Sequence, residues 1–369
     1  MNVYEMVQLK IGDLTAKLPI IQGGMGVGIS LSGLAAAVAN QGGIGVIATA
    51  GIGMFEHDGA TNYFDANIRA LRDEIRKARA LTSGIIGVNI MVALSNFVDL
   101  VKTSIEEGVD AIFAGAGLPL DLPALVDKSN TKLIPIISSA KAAKLIIKRW
   151  YSKYSYIPDA FVVEGPKAGG HLGFKPEQLD DPEYALEKIV VDVLNAVKPF
   201  EQEFNRPIPV IAGGGIYSGE DIYQTMKLGA AGVQMATRFV TTNECDASVA
   251  FKNTYIHAKK EDIGIIQSPV GMPGRAIINE FILEVNEGHK TPFGCPYHCI
   301  VTCNYKDSPY CIARALVNAK KGVLENGFAF AGVNAYRATR IEPLEEVCDC
   351  IKTEYAQAVS YDLAREVHD

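Results

Sequence analysis

The stretch "IPVIAGGGI" (208–216) is a short apolar run that stops on three glycines, and "LPIIQGG" (18–24) repeats that design near the start of the chain. Neither alternates polar with apolar residues, as a strand with one wet face would. Strands buried on both faces read this way, and they belong to parallel sheets. Working outward, six more runs share the character: "IGVIAT" (44–49), "GIIGVNIM" (84–91), "DAIFAGAG" (110–117), "KLIPIIS" (132–138), "AFVVEG" (160–165) and "AGVQMAT" (231–237). A helical pattern follows each. Eight β-α units in succession predict an α/β chain folded as a (β/α)8 TIM barrel over residues 1–244. The rival, a doubly wound open sheet, needs fewer strands for one ligand site.

Helix punctuation agrees with this division. Ser30 or Ser32 is expected to cap "LSGLAAAVANQ" (31–41), and "SGED" (218–221) predicts a capping box between Ser218 and Asp221. Beyond about residue 245 the rhythm stops. Residues 245–290 read as helical and irregular, and 312–327 and 343–366 as helices. The remainder, 245–369, is therefore expected to form a helical lid and C-terminal extension.

With 369 residues, 48% hydrophobic and 21% charged, the chain has an ordinary globular balance and enough length for a large core. A net charge of -7 with no basic stripe speaks against a nucleic-acid partner. No uninterrupted apolar run of about 18 residues predicts a membrane span. The first residues lack a basic start followed by an apolar signal region, so a cytoplasmic location is expected.

In such barrels the active site lies at the C-terminal strand ends. Gly23, Gly24 and Met25 sit at one of them, Gly213, Gly214 and Gly215 at another, and "GVQMATRF" (232–239) follows the eighth strand. The loops after strands seven and eight commonly bind phosphate, because glycine lets the backbone approach and free N–H groups at a helix start attract an anion. A phosphate-bearing cofactor or substrate is expected, against the alternative of tight turns with no ligand. The side-chain-free backbone beside Met25 accommodates a flat ring.

"VVEGPKAGGHLG" (162–173) places Glu164 at the end of the sixth strand and leads through Gly169 and Gly170 to His171. An imidazole in a glycine-rich loop on the active rim can exchange protons near neutral pH, so His171 is read as catalytic rather than as a loop histidine held by backbone. Glu164 has three readings: a contact to a ring nitrogen or ribityl chain, a partner for Lys167, or a structural acceptor.

"PIIQGGMG", "GVNIM" (87–91), "EGPKAGGHLG", "IPVIAGGGI", "LGAAGVQMATRF" and "FAFAGVNAYRATRIEPLEEV" occur in this order. The chain thereby resembles the nitronate monooxygenase (2-nitropropane dioxygenase) family of FMN-dependent barrels, which includes flavin-dependent enoyl-acyl-carrier-protein reductases. The resemblance covers roughly residues 8–285 and 327–355. It implies FMN across the strand ends, with its phosphate on Gly214, Gly215, Ala236 and Thr237 and its ring near Gly23, Gly24 and Met25. It further implies flavin contacts from Asn89, Glu164, Gly169 and Gln234, and matches His171 to the family's catalytic histidine. Ala236 stands where family members often have glycine, a change that leaves the N–H available.

The resemblance breaks at an insertion, about 288–326, that holds "GCPYHCIVTCNYKDSPYC" (294–311). Cys295, Cys299, Cys303 and Cys311 are spaced C-x3-C-x3-C-x7-C. Four thiols so close in a cytosolic chain read as ligands of a [4Fe–4S] cluster or of a structural zinc ion, with free thiols or a disulfide as the other readings. Zinc ribbons usually begin with C-x2-C pairs, which are absent. The spacing is similar to the cysteine run that other flavin barrels use to hold an iron–sulfur cluster.

Three functions are therefore carried forward. One is an FMN oxidoreductase that oxidises nitronates or reduces its flavin with NAD(P)H, with His171 as acid/base near flavin N5. Another is an enoyl-thioester reductase of fatty acid synthesis, with acyl carrier protein as a partner. The third is a non-catalytic FMN scaffold. A homodimer is expected by analogy with other members of the fold.

Overall fold

The computed structural model describes residues 5–126, 129–290, 292 and 294–366. Among them the strands are, in chain order, β1 (Leu9–Ile11), β2 (Leu14–Ala16), β3 (Ile20–Gln22), β4 (Ile44–Ala48), β5 (Ile85–Met91), β6 (Ala111–Gly115), β7 (Lys132–Ile137), β8 (Phe161–Glu164), β9 (Gly170–His171), β10 (Val210–Gly213), β11 (Gly232–Met235), β12 (Ile263–Gln267) and β13 (Pro273–Ile277). The helices are α1 (Ser32–Asn40), α2 (Tyr63–Leu81), α3 (Phe97–Glu106), α4 (Ala140–Tyr154), α5 (Leu186–Phe204), α6 (Gly219–Lys227), α7 (Thr237–Val240), α8 (Val249–His257), α9 (Glu280–Asn286), α10 (Ile312–Lys320) and α11 (Leu344–Glu366).

The eight apolar runs become the eight parallel strands of a closed barrel, β3-β4-β5-β6-β7-β8-β10-β11, with β11 returning to β3. They are buried on both faces, with β4, β6 and β10 buried at every position. That explains why their sequences do not alternate. Ile21, Ile44, Val46, Phe113, Ile134, Val162 and Ile211 pack together with Leu9 and Ile11 of β1 and Ala16 of β2. The β1–β2 hairpin therefore packs onto the barrel's inner residues, a role that its short strands did not announce in the sequence.

The capping box at the start of α6 forms as expected: the Ser218 hydroxyl accepts from the Asp221 amide, and the Asp221 carboxylate accepts from the Ser218 amide at 2.9 Å. The cap of α1 differs. Neither Ser30 nor Ser32 caps it; the Asp246 carboxylate, from far along the chain, accepts from the amides of Leu31 (2.8 Å) and Leu34 (3.3 Å). A tertiary acceptor has replaced the local hydroxyl, with the same effect on the orphan amides.

Residues 245–290 correct the expectation of a helical, irregular stretch. After α8 they form the β12–β13 hairpin, and β13 pairs antiparallel with β9, setting Gly274 opposite His171 and Arg275 opposite Gly170. The helix expected over 312–327 ends at Lys320, where α10 gives way to a turn. α11 packs along α6; a Cβ on Gly219 would lie 2.0 Å from the Ile351 carbonyl oxygen. Among the described residues, no helix is long and apolar enough to cross a membrane.

Candidate active site at the barrel mouth

A cavity of about 280 Å³ opens at the C-terminal ends of the strands. Gly23, Gly24, Met25, Asn89, Glu164, Gly169, Gly170, His171, Gly214, Gly215, Gln234, Ala236 and Thr237 all line it. Gly213 does not: it is the buried last residue of β10, and its carbonyl accepts from the Gly165 amide. The first glycine of the triplet thus ends the strand, and only the next two turn into the cavity, with φ of 100° and 88°.

One end of the cavity is built for an anion. The amides of Gly214, Gly215, Ala236 and Thr237 have no acceptor among the described residues. Such a group of orphan N–H donors at a glycine turn and a helix start is the arrangement that holds a phosphate. The surrounding groups are already occupied: the Thr237 hydroxyl accepts from the Gly332 amide at 3.1 Å, and the Asn334 side chain donates to the Gly215 carbonyl at 2.7 Å.

The middle of the cavity has a close-packed floor. A Cβ on Gly24 would fall 2.3 Å from Cβ of Asn89, so only glycine lets the first strand's loop lie against β5. Asn89 is oriented by its side-chain amide, which donates to the Phe113 carbonyl at 3.3 Å. Glu164 is half-buried at the cavity wall, and desolvation by the surrounding protein raises its carboxyl to about 7.

His171 stands on the opposite wall. Its Nε2 is 2.7 Å from the Ser268 hydroxyl, and its ring meets the edge of Phe330 with centroids 5.0 Å apart. Burial lowers its pKa to about 4, so the imidazole is neutral at pH 7. The backbone around it is stitched in place: the Leu172 amide donates to the Pro273 carbonyl at 2.9 Å, and the buried Arg275 guanidinium donates to the carbonyls of Pro166 and Ala168.

Two parts of the site escaped the sequence reading. Ser268 lies in the turn of the β12–β13 hairpin; "SPVGMPG" (268–274), with its prolines and glycines between two β-rich runs, was the available signal. Residues 330–334 fold over the cavity as a strap, and a Cβ on Gly169 would lie 2.5 Å from backbone atoms of Ala331 and Gly332. Phe251, Tyr255 and Leu316 complete the apolar wall.

The four cysteines of 294–311 line a second cavity, of about 200 Å³. All are free thiols, so no disulfide joins them. Among the described residues, no three His, Cys, Asp or Glu side chains are placed to hold one metal ion. A zinc ion would draw its thiolates to about 2.3 Å from one point. Of the other cysteines, Cys245 and Cys348 are buried and Cys350 is exposed.

The nitronate monooxygenase family profile matches residues 8–354. A probable nitronate monooxygenase of Staphylococcus saprophyticus is 30% identical over 303 residues, 75% of this chain and 80% of that protein. A (3aS,4S,5R,7aS)-5-hydroxy-7a-methyl-1-oxo-octahydro-1H-indene-4-carboxyl-CoA dehydrogenase of Mycobacterium tuberculosis is 29% identical over 272 residues, 74% of this chain and 66% of that protein. Among solved structures, FabK from Thermotoga maritima superposes with a TM-score of 0.73 at 28% identity, covering 95% of this chain and 96% of that one. With the barrel, its mouth and these likenesses together, the chain belongs to the nitronate monooxygenase family of oxidoreductases.

Proposed function

We propose that the mouth cavity binds FMN and that the chain oxidises nitronates, or passes electrons from NAD(P)H through the flavin to a small acceptor. The observation that carries this reading is the conjunction, in one cavity, of four orphan amides and His171, whose ring Ser268 holds from outside the lining. FMN supplies the two-electron redox chemistry when bound. The amides of Gly214, Gly215, Ala236 and Thr237 bind its phosphate, while Asn89, Glu164 and Gln234 contact the flavin beside Gly23, Gly24, Met25, Gly169 and Gly170.

His171, neutral at pH 7, serves as a hydrogen-bonding and proton-exchanging group toward the substrate, and Ser268 fixes its ring. With its pKa near 4 it does not store a proton; it donates or accepts one in passing. Phe330 and Tyr255 keep water from that wall. The cytoplasm is the expected compartment, and a homodimer the expected assembly.

A second reading is an enoyl-thioester reductase working on acyl carrier protein. The likeness to FabK, which extends over the C-terminal extension, and to a dehydrogenase named for a carboxyl-CoA favours a thioester. Anaerobic reduction of the FMN-loaded protein by NADH or NADPH, followed by reoxidation, separates them. Under the first reading a nitronate, mixed without oxygen, gives electrons to the oxidised flavin and is consumed in turnover once oxygen is admitted; under the second, crotonyl thioester reoxidises the NAD(P)H-reduced flavin in the absence of oxygen, and a nitronate does not reduce it. A purified chain with no flavin absorbance overturns both.

A further inference from the structure

We infer that Cys295, Cys299, Cys303 and Cys311 hold a [4Fe–4S] cluster in the second cavity. Four cysteine thiolates are the ligand set of such a cluster, one to each iron. Because the irons occupy alternate corners of a cube, the thiolates must surround a space rather than meet at a point. The four cysteines all line one cavity of about 200 Å³, brought there from a 17-residue stretch. Cysteines kept only for packing act as small hydrophobes and fill space; here four half-buried cysteines border one cavity instead.

A separate feature of the same wall points to an occupant. Tyr310 is 3% exposed and lines this cavity, yet its buried hydroxyl has no hydrogen-bond partner among the described residues. An orphan O–H costs folding energy unless a ligand accepts from it, and the sulfurs of a cluster are such acceptors.

The backbone also suits negatively charged sulfur. His298 adopts a left-handed φ of 45°, unusual for a residue with a Cβ. In that turn its amide donates to Cys295 Sγ at 3.3 Å, and its carbonyl accepts from the Ser95 hydroxyl at 2.6 Å. Cys311 is the N-cap residue of α10, beside the positive end of the helix dipole. Two further hydrogen bonds pin the loop to the barrel: Ser95 amide to Cys299 carbonyl at 3.1 Å, and Val301 amide to Ala93 carbonyl at 3.0 Å.

The position is next to the mouth cavity. Val27 and Leu316 line that cavity and also pack in the apolar cluster that includes Cys299 and Cys311. Leu316 follows Cys311 by five residues, about 7.5 Å along the helix axis. The cluster is therefore a one-electron centre a single side-chain layer from the FMN site. That last point rests on the flavin reading; the cluster site does not.

The test uses the full chain, purified anaerobically and reconstituted with ferrous iron, sulfide and FMN. Iron, acid-labile sulfide, zinc and flavin are then assayed on one sample. The expected result is about four irons and four sulfides per chain, with an electron paramagnetic resonance signal on dithionite reduction. Cys299→Ser and Cys311→Ser should each lose most of the iron while retaining flavin. Zinc in place of iron, or four freely titrating thiols without iron, overturns the proposal, and this result from the native chain does not depend on how the variants fold. Iron without flavin would leave the cluster standing and sink the FMN reading; flavin without iron would do the reverse.

Discussion

The Ser268 hydroxyl lies 2.7 Å from Nε2 of His171, although Ser268 comes from the β12–β13 hairpin and His171 from β9, 97 positions earlier. One hydrogen bond thus fixes the imidazole against the edge of Phe330. His171→Ala in the FMN-loaded protein should lower kcat with the best acceptor by about 10²–10⁴-fold, the usual worth of a positioned proton-exchanging group. Ser268→Ala should cost less, and Ser268→Thr should restore part of it. Steady-state turnover of all three checks the pair; unchanged turnover in His171→Ala removes the catalytic assignment.

Gly24→Ala brings a methyl group to within 2.3 Å of Asn89 Cβ, and neither partner can move without shifting a strand end. The expected outcome is a loss of about 1–3 kcal/mol in stability, typical of overpacking, with a sharp fall in bound flavin. Denaturant unfolding and flavin content per chain measure the two effects.

The Arg275 guanidinium holds the carbonyls of Pro166 and Ala168, both in the loop that leads to His171. Arg275→Met keeps the length of the side chain and removes the donors. It should cost about 1.5–3 kcal/mol, the range for hydrogen bonds to a charged group, and Arg275→Lys should recover only part. Urea melts of the cofactor-free protein test this.

Glu164 and His171 give the cofactor-free protein opposing pH dependences. The Glu164 carboxyl is raised to about 7, so the stability tied to its neutral form is complete below about 4.5 and is lost as pH rises through 7. His171, lowered to about 4, contributes stability above about 6.5 that is lost as pH falls through 4. Glu164→Gln should flatten the alkaline-side decline, by up to about 3 kcal/mol at the full shift. Melting temperature against pH for both proteins reads the difference directly.

The barrel was legible because all eight strands are buried on both faces, and continuous apolar runs ending on glycine have few other meanings. Most of the floor was legible for the same reason: Gly23, Gly24, Gly214 and Gly215 are punctuation as well as binding surface. The roof was not. Ser268 reaches His171, and the 330–334 strap reaches the cavity, only through tertiary pairing, β13 to β9 and Ala276 to Phe330, and no local pattern encodes a partner a hundred residues away. The α1 cap failed to show for that reason too, because its acceptor, Asp246, lies beyond the barrel. The cysteines show the converse limit: spacing counted them, but only the structure placed all four around one cavity.

The strap has a consequence for the order in which the protein is made. A ribosome releases the whole glycine floor by Val240, but Phe330 emerges about 90 residues later, some 5–20 s at ordinary rates of synthesis. During that interval the nascent barrel presents an open basin, which a cofactor reaches from above without displacing any part of the protein. Once the strap closes, its pairing with β13 and its hydrogen bonds to Thr237 and Gly215 lie across the exit. Loading during translation and loading of the finished chain are thus different processes, separated by the time it takes to synthesise a lid.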